Sequence, residues 1–270
     1  MLDPKRFRVP AGSAVKLSNH DPDSKVDFEG GKSEGEAALP MLRHQLAELQ
    51  DRLWAESRNR LLVVLQAMDT GGKDGTIRHV FKGANPQGVQ VASFGQPTEL
   101  ELAHDYLWRV HPHVPRNGFI TIFNRSHYED VLVVRVRDLV TEERWQRRYQ
   151  HINDFERLLT DEGTTIVKLF LHISPDEQRI RLQARIDDPS KRWKFRQGDL
   201  DDRELWPKFQ AAYEEALSRT STDNAPWYVV PANRKWYRNL VVSRILIDTL
   251  ERMNCQFPEP EIDLTGVVIP

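Results

Sequence analysis

The sequence has almost no cysteine. Its 270 residues contain a single one, Cys255, so an internal disulfide is excluded. A chain of this length can bury a substantial core without cross-links, and it is long enough for one large α/β domain or two small ones. Disulfides are therefore not needed for its stability.

Long apolar stretches and an excess of charge of one sign are also missing. No apolar run approaches the roughly 20 residues of a membrane span, and residues 1–6 are not followed by the apolar segment of a secretory signal. The 38 Lys and Arg residues nearly balance the 40 Asp and Glu residues. A net charge of −2 argues against a general nucleic-acid binder. We therefore expect a cytoplasmic protein without a membrane or nucleic-acid partner.

Short apolar runs alternate with segments of helical spacing through most of the chain. Helical spacing is present at 42–57, 75–82, 145–163, 205–216 and 236–253. Such alternation is typical of βαβ units and a parallel sheet. It predicts an α/β fold of three layers, a central parallel five-stranded sheet flanked by helices. The strands are predicted at 61–66, 89–94, 119–123, 165–173 and 227–230.

Composition divides the chain into three parts. Residues 1–39 are rich in Pro, Gly, Ser, Asp and Lys and show no sustained period, so we expect an irregular N-terminal arm. Residues 40–256 form the predicted single domain, and 257–270 a C-terminal tail.

The most informative segment is 61–76, where an apolar run breaks into Gly71-Gly72-Lys73 before a helix-compatible segment. Unpaired N–H groups at a helix start attract phosphate oxygens, so this layout indicates a phosphate-binding loop (P-loop) and a P-loop kinase-like fold. The usual signature, G-x-x-x-x-G-K-[ST], is only half present, since Ala67 replaces its first glycine and Asp74 its hydroxyl residue. The alternative is a strand followed by a glycine turn and a surface lysine. The candidate phosphate-binding residues here are Gly71, Gly72, Lys73, Asp74, Gly75, Thr76 and Lys82.

Asp69 adds a carboxylate inside this loop. A carboxylate repels phosphate, so its partner would be a cation or a proton on the acceptor. Mg²⁺ prefers one or two carboxylates together with phosphate oxygens and water. We therefore predict that Asp69 is a metal ligand.

A second polar motif, Asn124-Arg125-Ser126-His127-Tyr128-Glu129-Asp130, follows the third apolar run. Ligands of open α/β sheets bind beyond the carboxyl ends of the strands, so we expect this motif and the loop at the same edge of the sheet. Arg125 offers planar bidentate contacts to phosphate oxygens. Glu129 is a second candidate metal ligand or base. An exposed polar loop is the alternative interpretation.

Four positive charges fall within 191–196, between two predicted helices. Nucleotide kinases carry a closing lid at this place, whose basic side chains neutralise the transferred phosphate and exclude water. We expect a helical lid at about 188–198, and two arginines on one face of the preceding helix would extend its charge. A solvated basic loop is the alternative. The candidate phosphate-binding residues of this region are Arg181, Arg185, Lys191, Arg192 and Lys194.

A third polar cluster, Asn233-Arg234-Lys235, follows the last predicted strand. Its position suits contact with an adenine or a phosphate. A plain cluster of polar residues at the start of a helix explains the same sequence equally well.

Together these motifs resemble the polyphosphate kinase 2 family, which is related in fold to the thymidylate kinases. The family moves a terminal phosphoryl group between inorganic polyphosphate and nucleotides with Mg²⁺ or Mn²⁺, and its members commonly form dimers or tetramers. The resemblance covers about residues 40–256 and rests on four ordered segments, 69–75, 124–130, 188–194 and 225–233.

The resemblance implies roles for the candidate residues. Asp69 and the second motif would place the metal and the acceptor phosphate, whereas Lys73, Arg125 and the lid would bind polyphosphate. The catalytic candidates are Asp69, Lys73, Arg125 and Glu129, with Asp69 and Glu129 as ligands of Mg²⁺ or Mn²⁺. The implied substrates are inorganic polyphosphate, AMP, ADP and ATP. The implied assembly is a homodimer or homotetramer.

One position departs from the family pattern. Many relatives read Asp-Arg-Ser in the second motif with Asn at the position of Glu129, whereas here Asn124 precedes Arg125 and the acid stands at 129. This variant resembles the branch that phosphorylates both AMP and ADP. A carboxylate displaced by five residues would hold metal against a phosphate lying one unit deeper, as AMP requires.

The predicted function is reversible transfer of the terminal phosphoryl group of polyphosphate to AMP and ADP, giving ADP and ATP. An ATP-dependent nucleoside or nucleotide kinase would share the fold and the loop, but its loop should carry Ser or Thr in place of Asp74. A binding module without activity would keep the basic lid and would not need both Asp69 and Glu129.

Overall fold

A five-stranded parallel sheet forms the centre of the protein, whose computed structural model describes residues 2–269. The strand order is β2-β3-β1-β4-β5, and every neighbouring pair is parallel. The predicted fold class and all five predicted strands are confirmed. The strands are β1 Arg60–Ala67, β2 Val89–Ser93, β3 Ile120–Asn124, β4 Thr164–His172 and β5 Trp227–Pro231.

Helices cover both faces of the sheet. On one face α1 and α2 pack with α9, which also contacts β4 and β5. On the other face α5 contacts β4 and packs with α4 and α8. Because both faces are covered, the central strand β1 is apolar and buried along nearly its whole length. The helices are α1 Lys32–Glu56, α2 Lys73–Val80, α3 Glu99–Leu102, α4 Val133–Val136, α5 Glu142–Asp161, α6 Pro175–Asp187, α7 Gln197–Glu204, α8 Trp206–Thr220 and α9 Lys235–Met253.

The N-terminal arm is shorter than the composition predicts. Helix α1 begins at Lys32, where the carboxylate of Glu34 accepts a hydrogen bond from the Gly31 N–H at 2.9 Å, and it continues through Pro40. A proline costs the helix one backbone hydrogen bond, and the packing of α1 along α9 outweighs that loss. The expectation of an irregular segment to residue 39 was therefore wrong for its last eight residues, 32–39.

The remaining part of the arm is tied to the domain. Four of its apolar side chains lie in the core, and the Val9 N–H donates to the Trp227 carbonyl at 2.8 Å. Residues 257–269 contain neither helix nor strand and are exposed. Between residues 2 and 269, no helix has both the length and the apolar character that crossing a bilayer requires. The buried apolar residues of the arm are Phe7, Val9, Val15 and Leu17.

A buried polar network fixes the segment that follows β3. The Lys168 ammonium on β4 pairs with the Glu156 carboxylate and donates to the Tyr128 hydroxyl at 2.9 Å. Glu156 also accepts a hydrogen bond from Tyr128 at 2.9 Å and lies 3.3 Å from the Nε2 atom of His127. Each charged group of this network has a partner of opposite charge, because an unpaired buried charge would destabilise the fold. Tyr128 and His127 belong to the second polar motif, so this network holds that motif against the core.

Candidate active site

The glycines of the phosphate-binding loop are required by its geometry. The loop connects β1 to α2. A Cβ on Gly71 would lie 2.4 Å from the Cβ of Ala67, so only glycine fits there. Gly72, immediately before α2, has a φ of +100°, a left-handed conformation that favours glycine. The chain thus turns sharply enough to direct the first N–H groups of α2 outward, as the sequence predicts.

Lys73 is the first residue of α2, and its ammonium points back along the loop. The Nζ atom donates to the Ala67 carbonyl at 3.1 Å. Burial, and to a smaller extent the charge of Arg125, lowers the pKa of Lys73 to about 8, while Asp69, Glu129 and Asp74 act in the opposite direction. A phosphate ligand would stabilise the protonated form of Lys73, which burial disfavours.

Arg125 joins the two predicted metal ligands. It follows β3 with a φ of 63°, and its N–H donates to the Leu65 carbonyl at 3.1 Å. The guanidinium lies 2.9 Å from Asp69 Oδ1 and 3.5 Å from Glu129 Oε2. These two carboxylates raise the pKa of Arg125, Glu129 more than Asp69, against the effect of burial. The four predicted catalytic residues therefore lie in one cluster at the carboxyl edge of the sheet.

Asp74 connects the loop to β3 and to the lid. Its Oδ1 atom accepts a hydrogen bond from the Asn124 amide at 2.9 Å, and its Oδ2 atom lies 3.5 Å from the Lys194 ammonium. Burial raises the pKa of Asp74, but Asn124 and Lys194 together outweigh burial, so the net pKa is lowered. Asp74, which stands where the usual signature has Ser or Thr, thus connects the lid to the loop.

The lid has a short helical turn at Arg192–Lys194, followed by α7. Arg185 on α6 anchors it, since its guanidinium donates to Asp199 at 2.9 Å and to the Lys194 carbonyl at 3.2 Å. Lys191 pairs with Asp188, and Arg192 donates to the Ile186 carbonyl at 2.7 Å. Of the predicted lid residues, Lys194 is the one that the structure brings to the loop.

Two predicted phosphate-binding residues do not fit that role. Thr76 is fully buried, and both its hydroxyl and its N–H donate to the Gly72 carbonyl. Arg181 uses four of its five N–H groups on neighbours, which leaves it little capacity for a ligand. Its partners are the Glu177 carboxylate and the carbonyls of Thr70, Ala232 and Asn233. Arg181 therefore stabilises the loop through its hydrogen bond to the Thr70 carbonyl.

Lys82 lies away from this cluster. It is exposed and stands two residues after the end of α2, whereas Lys73 stands at the beginning of that helix. The structure does not bring Lys82 to the loop, because eight residues of helix separate it from the N-terminal turn.

The donor set at the loop fits a divalent ion that takes most of its ligands from phosphate and water. Asp69 and Glu129 supply two partly exposed carboxylates, with 20% and 14% of their side chains accessible. Across residues 2–269, no three His, Cys, Asp or Glu side chains are grouped closely enough to hold a metal by themselves. Two carboxylates beside a phosphate cradle are what Mg²⁺ commonly uses.

Arg238 on α9 is a residue of this site that the sequence did not reveal. Its Nη1 atom lies 2.0 Å from the point where a Cβ on Gly72 would stand, and its side chain is buried. No motif marks it, because it belongs to the regular apolar pattern of α9 and lies far from the loop in sequence. Arg238 is found only when the carboxylate partners of the arginines are compared in three dimensions.

Comparison with known proteins agrees with the geometry. The family model described as polyphosphate kinase 2 matches residues 29–258. The chain is 61% identical over 265 residues to the AMP/ADP-polyphosphate phosphotransferase of Meiothermus ruber, covering 98% of this chain and 99% of that one. It is 44% identical to the ADP-polyphosphate phosphotransferase of Rhodopseudomonas palustris, over 94% of this chain and 92% of that one.

A solved structure shows the same likeness in three dimensions. The crystal structure of polyphosphate kinase 2 from Arthrobacter aurescens superposes with a TM-score of 0.94 and 46% identity, covering 98% of this chain and 95% of that chain. The phosphate-binding loop, the second motif and the lid therefore occur within a fold that this family shares. The chain belongs to the polyphosphate kinase 2 family.

Proposed function

We propose that this protein transfers the terminal phosphoryl group of inorganic polyphosphate reversibly to AMP and ADP, giving ADP and ATP. The observation that supports this most directly is the cluster in which Arg125 bridges Asp69 and Glu129 beside Lys73. The cluster offers cations for a phosphate chain and carboxylates for a metal-bound acceptor. The names of the relatives from Meiothermus ruber and Rhodopseudomonas palustris describe the same chemistry.

Phosphoryl transfer depends more on positioning and charge neutralisation than on covalent chemistry. Lys73, the α2 N–H groups and Lys194 bind the end of the polyphosphate chain. Arg125 contacts the transferred phosphate and holds Asp69 and Glu129 in place. A phosphate oxygen of the nucleotide attacks the terminal phosphorus in line, and the shortened polyphosphate leaves. No covalent enzyme intermediate is needed, because the acceptor phosphate is already an anionic nucleophile.

Asp69 and Glu129 would hold the divalent cation, Mg²⁺ or Mn²⁺. When bound, such an ion neutralises phosphate charge and orients the acceptor. Closure of the lid over the loop through Lys194 and Asp74 excludes water, which would otherwise hydrolyse the polyphosphate. The homodimeric or homotetrameric assembly and the cytoplasmic location stay predictions from the sequence.

The test is a comparison of phosphoryl donors. Purified protein with Mg²⁺ and polyphosphate is incubated with AMP or with ADP, and the products are separated by ion-exchange chromatography. We expect ADP and ATP from AMP, and ATP from ADP. A matched reaction with ATP and a nucleoside tests the alternative kinase function. Product in that reaction alone, without transfer from polyphosphate, would refute the proposal.

Glu129→Asn is expected to lower the ratio of AMP to ADP phosphorylation by about tenfold, roughly 1.4 kcal/mol of transition-state energy. The Glu129 carboxylate pairs with Arg125, and the proposal assigns it to the metal-bound phosphate of the shorter acceptor. The kcat/KM values for AMP and ADP are measured at saturating polyphosphate. Glu129→Gln, which removes the charge but keeps the length, serves as the comparison. An unchanged ratio in both variants would refute this role for Glu129.

Affinity for polyphosphate should fall as the pH rises through the pKa of Lys73, which burial holds at about 8. Only the protonated ammonium attracts phosphate, so kcat/KM for polyphosphate is expected to decline above that pH. Lys73→Arg, whose guanidinium stays charged, should move this decline to higher pH. Initial rates at low polyphosphate are measured between about pH 6 and 10, a range that brackets the lowered pKa of Lys73 and ends below that of an ordinary lysine. A decline at the same pH in both proteins would assign it to another group.

A further inference from the structure

Arg238 places a guanidinium against the glycines of the phosphate-binding loop. Its Nη1 atom is 2.0 Å from the Cβ position of Gly72, and its Nη2 atom is 3.5 Å from that of Gly75. Gly72 precedes Lys73, and Gly75 lies in the first turn of α2. The charge therefore lies beside the N–H groups that are directed at a bound phosphate.

Among residues 2–269, no carboxylate pairs with the buried guanidinium of Arg238. The residue is 3% exposed, and within residues 2–269 the hydrogen bonds of its guanidinium go to Asn239 Oδ1, at 2.8 and 3.2 Å. Other arginines around the site have acidic partners: Arg125 has Asp69 and Glu129, Arg181 has Glu177, and Arg185 has Asp199.

This arrangement is costly for the protein alone. A buried charge without a counter-ion destabilises a fold unless another group compensates it. Burial, together with the neighbouring charge of Arg181, lowers the pKa of Arg238 to about 9. An anion at the loop would remove this cost.

Positive charge continues from Arg238 to the start of α9. Lys235 is exposed and stands three residues earlier on the same helix, so both side chains lie on one side of it. Burial and the charge of Arg181 lower the pKa of Lys235, and Arg238 and Lys191 act in the same direction against Glu177. Basic side chains thus extend from the loop across the first turn of α9 toward the lid.

We propose that the bound polyphosphate chain is the counter-ion of Arg238, and that the chain leaves the loop across the first turn of α9 along Lys235. This inference rests on the proposed function and assigns two further binding residues to the same site. The proposal also gives Lys235, a member of the polar cluster 233–235, the phosphate contact that was one of two interpretations of its sequence. Arg238 binds the phosphates nearest the loop, and Lys235 binds phosphates farther along the chain.

The experiment compares Arg238→Met and Lys235→Met with wild type by thermal unfolding, with and without tripolyphosphate or long-chain polyphosphate, in the absence of nucleotide. Arg252→Met, at the far end of α9, is the control, because it removes the same charge from the same helix. Steady-state KM values for both polyphosphates are then measured with ADP. Arg238→Lys tests whether charge alone restores binding.

For Arg238→Met we expect an unfolding temperature without ligand that equals or exceeds that of wild type, since a buried unpaired charge is gone. Its stabilisation by tripolyphosphate should be lost, and its KM should rise about 10-fold to 100-fold, as expected for a lost interaction between charged groups. Arg238→Lys should recover part of this loss. Lys235→Met should raise KM by about threefold to fivefold for the long chain alone, the scale of an exposed charge contact.

Equal stabilisation by tripolyphosphate in wild type and Arg238→Met would overturn the inference, as would an Arg238→Met protein that is destabilised without ligand yet keeps its KM. If Arg238→Met does not fold, Lys235→Met decides, and an unchanged KM for the long chain overturns the proposed path. Thermal stabilisation needs no turnover. A wild type that binds tripolyphosphate but transfers no phosphate would therefore refute the proposed function and leave this inference standing.

Discussion

Lys73→Ala is expected to lower kcat/KM for polyphosphate at least about 100-fold, which corresponds to roughly 2.7 kcal/mol of transition-state stabilisation. The Lys73 ammonium begins α2, contacts the Ala67 carbonyl and faces the carboxylates of Asp69 and Glu129. A phosphate in the loop would therefore lose its nearest flexible cation, and the N–H groups of α2 would bind it without that charge. Initial rates over a range of polyphosphate concentrations measure the loss.

Arg78→Ala is the matched control for this variant. Arg78 is exposed on the same helix, so the change in net charge and the loss of a long side chain are alike. We expect its kcat/KM to stay within about twofold of wild type, since an exposed charge away from the ligand contributes little. Activity of Lys73→Ala within about tenfold of wild type, roughly 1.4 kcal/mol, would contradict the role assigned to Lys73.

Asp69→Asn is expected to lower kcat about 1,000-fold, roughly 4 kcal/mol, while KM for polyphosphate changes little. The substitution keeps the size of the side chain and removes its charge. The variant would lack one of the two carboxylates proposed to hold the divalent cation, whereas Lys73 and Lys194, which are proposed to bind the donor, are unchanged. The protein should remain folded, because the ion pair between Asp69 and Arg125 is partly exposed and contributes at most about 1 kcal/mol to stability.

Asp248→Asn controls for the loss of one carboxylate that pairs with an arginine. Asp248 pairs with Arg252 near the end of α9, away from the loop. Rates of both variants are measured across a range of Mg²⁺ concentrations, and unfolding temperatures show that both are folded. If Asp69→Asn kept its kcat within tenfold of wild type, or if Asp248→Asn lost as much, Asp69 would not have the proposed role.

Local sequence patterns predicted much of this site. The strand, the two glycines and Lys73 are contiguous, and a glycine turn before a helix constrains the backbone without long-range information. Arg125 and Glu129 follow a neighbouring strand, so the parallel sheet alone was enough to place them at the same edge as the loop. The structure brings these residues together with Asp69 through two ion pairs.

For Thr76, Arg181 and Arg185, the residue type does not reveal how the side chain uses its hydrogen-bonding groups. Arg181 and Arg185 are both arginines on one face of α6, yet the first supports the loop carbonyl of Thr70 and the second anchors the lid at Asp199. Thr76 carries a hydroxyl in the right segment, but the helix geometry directs it to the Gly72 carbonyl. Helix α1 began earlier than expected because its contact with α9 overrides the local effect of Pro40.

The sequence by itself determined the parallel α/β fold, the phosphate-binding loop, the second motif and the family. These depend on periodicity and spacing within short segments, which backbone geometry converts directly into structure. Only the tertiary structure decided which cations are free to meet a phosphate. It ties Arg181 to carbonyls and pairs Lys194 with Asp74. It leaves Arg238 buried against Gly72 with no acidic partner in the part of the chain that the structure describes. The physical reason is that a charge is neutralised by whatever lies near it in space, and α9 approaches the loop only when the sheet has formed.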